Sequence, residues 1–106
     1  MAEAIARGVL RSALFRADEL RAADPSPQRR ALFDNGLRIS CVENPAEIVP
    51  GAAAVLLAVK PQAIASALEQ CRAALPKAAL VITIAAGITT GYVESALNPG
   101  TRVVRV

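Results

Sequence analysis

The sequence predicts an α/β fold, with a parallel sheet that carries helices on both faces. Segments typical of strands alternate with segments typical of helices along all 106 residues, which is the pattern of α/β domains. Two of the strand segments, 53–59 and 80–85, contain no charged residue, as expected for strands buried on both faces. The hydrophobic content of 54% is typical of a folded chain, and the length supports one small domain.

The chain is predicted to open with a helix over residues 1–15. Its apolar residues recur on one broad face, while Glu3, Arg7 and Arg11 fall elsewhere around the helix. These early charges also argue against a signal peptide.

Two short strands, at 20–24 and 37–42, are predicted on either side of a second helix. Ser26 is a favourable N-cap, and Pro27 suits the first helical position. Gly36 is expected to end this helix. The strand at 37–42 shows the alternation of apolar and polar residues that is typical of a half-buried strand.

The second half of the chain continues the alternation. Further strands are predicted at 53–59, 80–85 and 101–106, with helices at 62–75 and 89–97 and one or two helical turns at 45–49. Thr89 or Thr90 is expected to cap the helix at 89–97.

Several classes of function lack support in the composition. The chain has no histidine, which removes imidazole catalysis and histidine-ligated metal sites. Cys41 and Cys71 lack the spacing of a metal or redox pair, so both are expected to be buried, reduced thiols. The net charge is only +3, aromatic residues make up 3% of the chain, and the sequence has no stripe of basic residues, so a nucleic-acid-binding function has little support. No apolar run is long enough for a membrane helix, and we expect a cytoplasmic protein without nucleic-acid or membrane partners.

The residues that follow the predicted strands are the candidates for chemistry, because ligands of parallel sheets bind beyond the carboxyl ends of the strands. Asp24 follows the first strand, where an acid can bind a ribose, and Arg29 and Arg30 come soon after it, where cations could hold a 2′-phosphate. Asn44 follows the second strand and Lys60 the third.

Small residues at 85–87 follow the fourth predicted strand and would let a flat ligand approach the backbone closely. Each candidate also has a purely structural explanation. Lys60 could be a solvated strand-end residue, the arginines a solvated helix face, and Asn44 a turn former before a proline. The small residues at 85–87 could serve tight packing without a ligand.

Five segments, in this order and spacing, closely resemble the pyrroline-5-carboxylate reductase family. They are MAEAI at 1–5, ADPSP at 23–27, LLAVKPQ at 56–62, IAAGI at 84–88 and RVVRV at 102–106. The resemblance covers the whole chain and implies a Rossmann-like domain that binds NADP, with NAD as a possible alternative. It also implies the reduction of 1-pyrroline-5-carboxylate, a small-molecule substrate, to L-proline with NAD(P)H, the last step of proline synthesis.

The resemblance further implies which residues contact the cofactor. The adenosine end is expected at Ser26 and Arg29, with Arg30 as a further candidate, and Asn44 is expected near the ribose. The remaining expected cofactor-binding residues lie along the ribose and nicotinamide, and they are Val59, Lys60, Pro61, Ala85, Ala86 and Gly87. No residue is a convincing proton donor, so no catalytic residue and no metal ligand are predicted.

The sequence also departs from the family pattern. A strand and a glycine-rich turn, GxGNMA, precede the matching segment in the family, and Met1 is similar to the methionine of that turn. We therefore expect a partial domain over 1–106 whose first strand and glycine-rich turn are missing, and no GxGxxG motif occurs in the sequence. The family's helical C-terminal domain, which forms the dimer, is expected to be absent, so a homo-oligomer is expected only where that domain is present.

Two consequences and two alternatives follow from these departures. The family's first strand would be the central one, so its loss separates the strands at 20–24 and 53–59. Either the remaining strands close up or the chain is marginal, and we expect that these two strands do not pair. The isolated chain should then have marginal stability and no reductase activity. One alternative is a non-catalytic remnant or interaction fragment of the family. The other is a different NADP-linked oxidoreductase of the same fold, such as a relative of the 3-hydroxyacid dehydrogenases.

Overall fold

The computed structural model of the protein describes residues 2–106, and Met1, predicted to begin the first helix, lies outside them. The helices are α1 (Ala2–Arg11), α2 (Pro27–Ala31), α3 (Ile64–Arg72) and α4 (Thr90–Ala96), and the strands are β1 (Arg21–Ala23), β2 (Ser40–Val42), β3 (Ala54–Leu57), β4 (Leu80–Thr83) and β5 (Arg102–Arg105). Short 3₁₀ helices occupy Ala17–Glu19, Pro45–Glu47 and Pro61–Ala63. Each of these helices and strands, apart from the 3₁₀ helices at Ala17–Glu19 and Pro61–Ala63, lies within a range predicted from the sequence.

The strands are parallel, as predicted, but they form two sheets rather than one. β1 pairs with β2, whereas β4 lies between β3 and β5. The chain correspondingly divides into two compact units, a first unit that ends at Ile48 and a second unit that begins at Val49. The expectation that the first and third strands do not pair is confirmed, because β1 and β3 belong to different sheets.

The core of the first unit consists of Phe33, Leu37, Ile39 and Cys41, with Ala6 and Leu10 of α1 among the residues packed against it. The prediction that Gly36 ends the second helix is wrong. The chain continues after α2 as a π-helical turn over Leu32–Leu37, and the left-handed residue that closes it is Arg38, with φ of 60°. This extension buries both Phe33 and Leu37, so the gain from apolar burial outweighs the stop signal at the glycine.

The first helix is shorter than its apolar pattern predicts. It ends at Arg11 because Ala13 adopts a left-handed conformation with φ of 59°. The N–H groups of Ala13 and Leu14 donate to the carbonyl oxygens of Leu10 and Val9, at 3.1 and 3.3 Å. These two bonds form a Schellman motif, which satisfies carbonyls that the end of the helix would otherwise leave unpaired.

The second unit has a sheet that is buried on one face and open on the other. Val81 and Thr83 of the central strand are fully buried, as are Ile64 and Leu68 of α3 and Val93 of α4.

The opposite face of this sheet carries one row of paired residues, Leu56, Ile82 and Val104. Leu56 is 39% exposed and Val104 46% exposed. The prediction that the strand at 53–59 is buried on both faces is therefore wrong, because β3 is an outer strand with one open face.

The isolated chain is expected to melt at a midpoint below about 60 °C, whereas small mesophile domains melt at about 45–65 °C. Within residues 2–106 only β4 has a strand on both sides. The other strands each leave one edge of backbone groups without a strand partner, and sheets of two or three short strands are weak on their own. Thermal unfolding followed by circular dichroism and calorimetry tests this, and a cooperative transition above about 60 °C would contradict it.

Candidate functional site

The carboxyl ends of β1 and β2 lie side by side in the first unit. Ala23 is paired with Val42, and the N–H of Asp24 donates to the carbonyl oxygen of Val42 at 2.9 Å. The residues that follow the two strands, including Ser26 and Asn44, therefore leave the sheet at the same edge. This is the placement that the sequence predicts for ligand-binding residues.

Ser26 begins α2 as its N-cap, as predicted. Its Oγ accepts a hydrogen bond from the N–H of Arg29 at 3.4 Å, and its own N–H donates to Oδ1 of Asp24 at 2.9 Å. One Asp24 oxygen is thus used to hold the turn before α2. The Ser26 hydroxyl can still donate its proton while it accepts, so it can bind a ligand oxygen.

The two arginines that follow Ser26 have different partners. Nη1 of Arg30 donates to the carbonyl oxygens of Asp24 and Pro25, both at 2.9 Å, and so braces the turn. Nη1 of Arg29 lies 3.3 Å from Oε1 of Glu3, and the Arg29 side chain is 38% exposed. Neither arginine is simply a solvated charge on a helix face.

Glu3 joins this group although the sequence did not predict it. Its Oε2 accepts a hydrogen bond from Nε of Arg7 at 2.9 Å, so Glu3, Arg7 and Arg29 form a charged cluster, the Glu3 cluster. The hydrogen bond from Arg7 and the charges of both arginines lower the pKa of Glu3. Glu3 is therefore ionised at neutral pH. The spacing of Glu3 and Arg7 is a local helix signal, but the contact with Arg29 joins residues 26 positions apart and has no local signal.

Asn44 has the structural role that the sequence left open. Its Oδ1 accepts a hydrogen bond from the N–H of Ala46 at 2.9 Å and so caps the 3₁₀ helix Pro45–Glu47. The side chain is exposed, and its amide NH₂ group can still donate to a ligand.

The second unit places the other predicted residues at the carboxyl edge of its sheet. Leu57 at the end of β3 is paired with Thr83 at the end of β4, and the N–H of Ile84 reaches the carbonyl oxygen of Leu57 at 3.5 Å. The segments 58–61 and 84–87 therefore leave from adjacent strands. The two segments are therefore neighbours at one edge of the sheet, and their contacts with the ribose and nicotinamide stay a prediction.

In the first of these segments, Val59 is half-buried, while Lys60 and Pro61 are exposed. Lys60 has an extended backbone, with φ of −68° and ψ of 151°, as is usual before a proline. None of the salt bridges in residues 2–106 involves Lys60. Its ammonium group is thus available to a ligand, although a solvated strand-end lysine would look the same.

The segment Ala85, Ala86 and Gly87 forms a tight turn beyond β4. The N–H of Ala85 donates to Oγ1 of the fully buried Thr83 at 3.3 Å, and the N–H of Ile88 reaches the carbonyl oxygen of Ala85 at 3.4 Å. Gly87 has φ of 76°, and a Cβ built on it would meet no atom within 4 Å. The glycine is therefore explained by the turn conformation and not by tight packing, and the space beside it is open to a ligand.

The cysteines are buried, free thiols, as predicted. Burial raises the pKa of Cys71, and burial together with the nearby Asp34 and Asp24 carboxylates raises the pKa of Cys41. In the part of the chain that the structure describes, no group of three or more acidic or cysteine side chains could hold a metal ion. No helix over the same residues is long and apolar enough to cross a membrane.

Residues 1–87 match the family model described as NADP oxidoreductase, coenzyme F420-dependent. The chain belongs to this family of oxidoreductases. Within it, the chain is similar to pyrroline-5-carboxylate reductases, which confirms the resemblance seen in the sequence. It is 38% identical to pyrroline-5-carboxylate reductase of Pseudomonas aeruginosa over 98 residues, which cover 92% of this chain and 36% of that protein.

Two solved structures agree with this similarity. The pyrroline-5-carboxylate reductase of Coxiella burnetii matches 98% of this chain and 38% of its own, with a TM-score of 0.89 and 25% identity. The pyrroline carboxylate reductase of Plasmodium falciparum, solved with NADP bound, matches 97% of this chain and 36% of its own, with a TM-score of 0.81 and 20% identity. The fold is thus the Rossmann-like α/β fold of these enzymes, and the chain spans little more than a third of their length.

Proposed function

We propose that this chain supplies the cofactor-binding domain of an enzyme that reduces 1-pyrroline-5-carboxylate to L-proline with NADPH. The observation that carries the proposal is that the chain matches a reductase of this activity over 92% of its residues. The position of the candidate residues in the sheets also supports the proposal. They follow the carboxyl ends of parallel strands in both units, and ligands of this fold bind there.

The proposed roles follow the two groups of residues. Ser26 and Arg29 would hold the adenosine end of the cofactor, and Asn44 would contact the ribose. Val59, Lys60 and Pro61 would run under the ribose and nicotinamide. Beside the nicotinamide, the exposed Ala86 and Gly87 would pack their small surfaces against the ring, and the open space next to Gly87 supports this. Ala85 is buried, at 4% exposed, so it would shape this surface from behind.

The cofactor, when bound, supplies the hydride that reduces the C=N carbon of the cyclic imine. The contribution of this chain is to bind and orient it. We assign no proton donor within the chain. The chain spans 36% and 38% of the lengths of two of these reductases. Further segments of such an enzyme, including a helical C-terminal domain, would complete the substrate site and form a homo-oligomer.

NADP is favoured over NAD as the cofactor. Asp24, a carboxylate near the ribose, repels a 2′-phosphate, but two arginines and a serine follow it within six residues. The Arg29 guanidinium and the Ser26 hydroxyl can both donate to a phosphate. The similar reductase of Plasmodium falciparum was solved with NADP.

The buried, free cysteines support a reducing, cytoplasmic location.

One observation favours a second function, that of a non-catalytic interaction fragment. The apolar row of Leu56, Ile82 and Val104 is open on one sheet face, and exposed apolar patches mark sites of association. A chain of this kind would bind a protein surface without reducing an imine.

The purified 106-residue chain is expected to show no measurable oxidation of NADPH that depends on pyrroline-5-carboxylate. The reason is that no proton donor or substrate-binding group is assigned to its residues. The assay follows NADPH absorbance with and without the imine, and activity of the pure chain would contradict the expectation.

Three measurements on the protein purified from its source separate the two functions. They are its intact mass, the same reduction assay and nucleotide binding. A mass well above the 11.0 kDa of this chain, together with imine reduction, supports the reductase. A mass of 11.0 kDa without nucleotide binding would overturn the reductase proposal and leave the interaction fragment.

A further inference from the structure

We infer that Glu3 limits the preference for a 2′-phosphate, because its carboxylate competes with that phosphate for the Arg29 guanidinium. The inference rests on the proposed function, in which Arg29 binds the adenosine end of the cofactor. It assigns a specificity role to a residue outside the segments that the sequence predicts as cofactor-binding.

The contact between Glu3 and Arg29 is of a kind that a phosphate can replace. The distance of 3.3 Å between Oε1 and Nη1 is longer than the 2.7–2.9 Å that is typical of strong charge-assisted hydrogen bonds. The Arg29 side chain is 38% exposed, so a ligand can reach it from solvent. A phosphate could accept from the guanidinium in a bidentate arrangement and would bind it more strongly than one distant carboxylate oxygen does.

Glu3 does not need Arg29 as its only partner. Its other oxygen accepts the shorter hydrogen bond, at 2.9 Å, from Arg7 of the same helix. The carboxylate therefore stays in place, and stays charged, when Arg29 turns to a ligand. Binding of a 2′-phosphate to Arg29 therefore has to displace the contact with Glu3, and this cost does not arise for a nucleotide without that phosphate.

Arg30 cannot easily replace Arg29 in this role. Its Nη1 donates to two backbone carbonyls of the turn before α2, so movement of the guanidinium toward a phosphate would break both bonds. Beside the repulsion from Asp24, discrimination between the two cofactors thus depends on Arg29 and on the Glu3 carboxylate that faces it.

The test uses 2′,5′-ADP and 5′-AMP as probes, which differ in the 2′-phosphate, and measures their dissociation constants by titration calorimetry for the protein as its source produces it. Glu3→Gln keeps the size and an acceptor oxygen of Glu3 but removes its charge. We expect it to tighten the binding of 2′,5′-ADP about two- to fivefold, in line with exposed ion pairs, and to leave 5′-AMP unchanged. Tighter binding of 2′,5′-ADP alone supports the inference.

Two variants make the result specific. Asp18→Asn changes the net charge by the same amount but alters a carboxylate that pairs with Arg16 at 3.0 Å, so it should leave both dissociation constants unchanged. In an Arg29→Ala background, Glu3→Gln should give no gain in 2′,5′-ADP binding, because the two residues act as a pair. A gain of equal size in that background, or in Asp18→Asn, would overturn the inference.

The remaining outcomes separate this inference from the proposed function. If the original chain binds 2′,5′-ADP more tightly than 5′-AMP, and Glu3→Gln leaves the ratio unchanged or lowers it, Glu3 does not compete and the inference alone fails. A lowered ratio would show instead that Glu3 positions Arg29 for the phosphate. If no variant binds either nucleotide, the proposed function of the chain fails, and the inference with it.

Discussion

Leu68→Ala is expected to remove most of the stability of the second unit, at a cost of about 2–5 kcal/mol in its free energy of unfolding. Leu68 lies on α3 and is 1% exposed, on the same helix face as the buried Ile64 and Cys71. Truncation removes buried apolar surface and leaves a cavity. Whole domains have a net stability of about 5–15 kcal/mol, so a unit of this size is expected to lose much of its folded population. Urea denaturation followed by circular dichroism measures the change.

Leu14→Ala is the matched control, because it makes the same chemical change at a leucine that is 69% exposed. Surface substitutions of this kind usually change stability by less than about 0.5 kcal/mol. Hydrogen exchange at the amides of β4 locates the effect of Leu68→Ala within the second unit. Equal losses of stability in the two variants would show that α3 does not form the core of that unit.

The parts of the fold that the sequence predicts correctly are those governed by local patterns. β4 was predicted from a run of β-branched and apolar residues, and it is present. Its Val81 and Thr83 are buried, whereas Leu80 and Ile82 on the other face are only half-buried, so the expected burial of both faces is met on one face. The start of α2 was predicted from Ser26 and Pro27, and the Ser26 side chain does form the cap. Capping and apolar runs act within a few residues, so one sequence is enough to recognise them.

The errors arise where distant contacts decide the conformation. Gly36 is a good local stop signal, but the chain continues past it so that Leu37 is buried with Phe33. The run of small and apolar residues in β3 is compatible with burial on both faces, yet Leu56 is 39% exposed. How many strands and helices cover a face is a property of the assembled fold, and no local pattern reports it.

The candidate site shows the same division. The position of the 85–87 segment beyond the fourth strand was predicted, and the segment does follow β4. The positive φ of Gly87, which explains the glycine, was not among the two explanations that the sequence offered. The contact of Glu3 with Arg29 could not, because it depends on how α1 and α2 pack within the first unit. Sequence patterns thus identify which segments reach the carboxyl ends of the strands, and the structure identifies which charges face one another there.

Removal of Arg29 and Arg30 is expected to weaken the binding of NADPH much more than that of NADH. In the protein as its source produces it, Arg29→Ala combined with Arg30→Ala should raise the KM for NADPH about tenfold or more. Hydrogen bonds to charged groups are worth about 1.5–3 kcal/mol each, and about 1.4 kcal/mol corresponds to a factor of ten in affinity. Steady-state kinetics with each cofactor measures the two KM values.

The single variants distinguish phosphate binding from support of the turn. Arg29→Ala removes the guanidinium that faces Glu3 and should raise the KM for NADPH alone. Arg30→Ala also removes two hydrogen bonds to the backbone before α2, so it should raise both KM values through a looser turn. Arg16→Ala, which removes a 78% exposed charge, controls for the loss of positive charge. If Arg29→Ala raised both KM values equally, Arg29 would not bind the 2′-phosphate, and its role would be limited to holding α2 against Glu3.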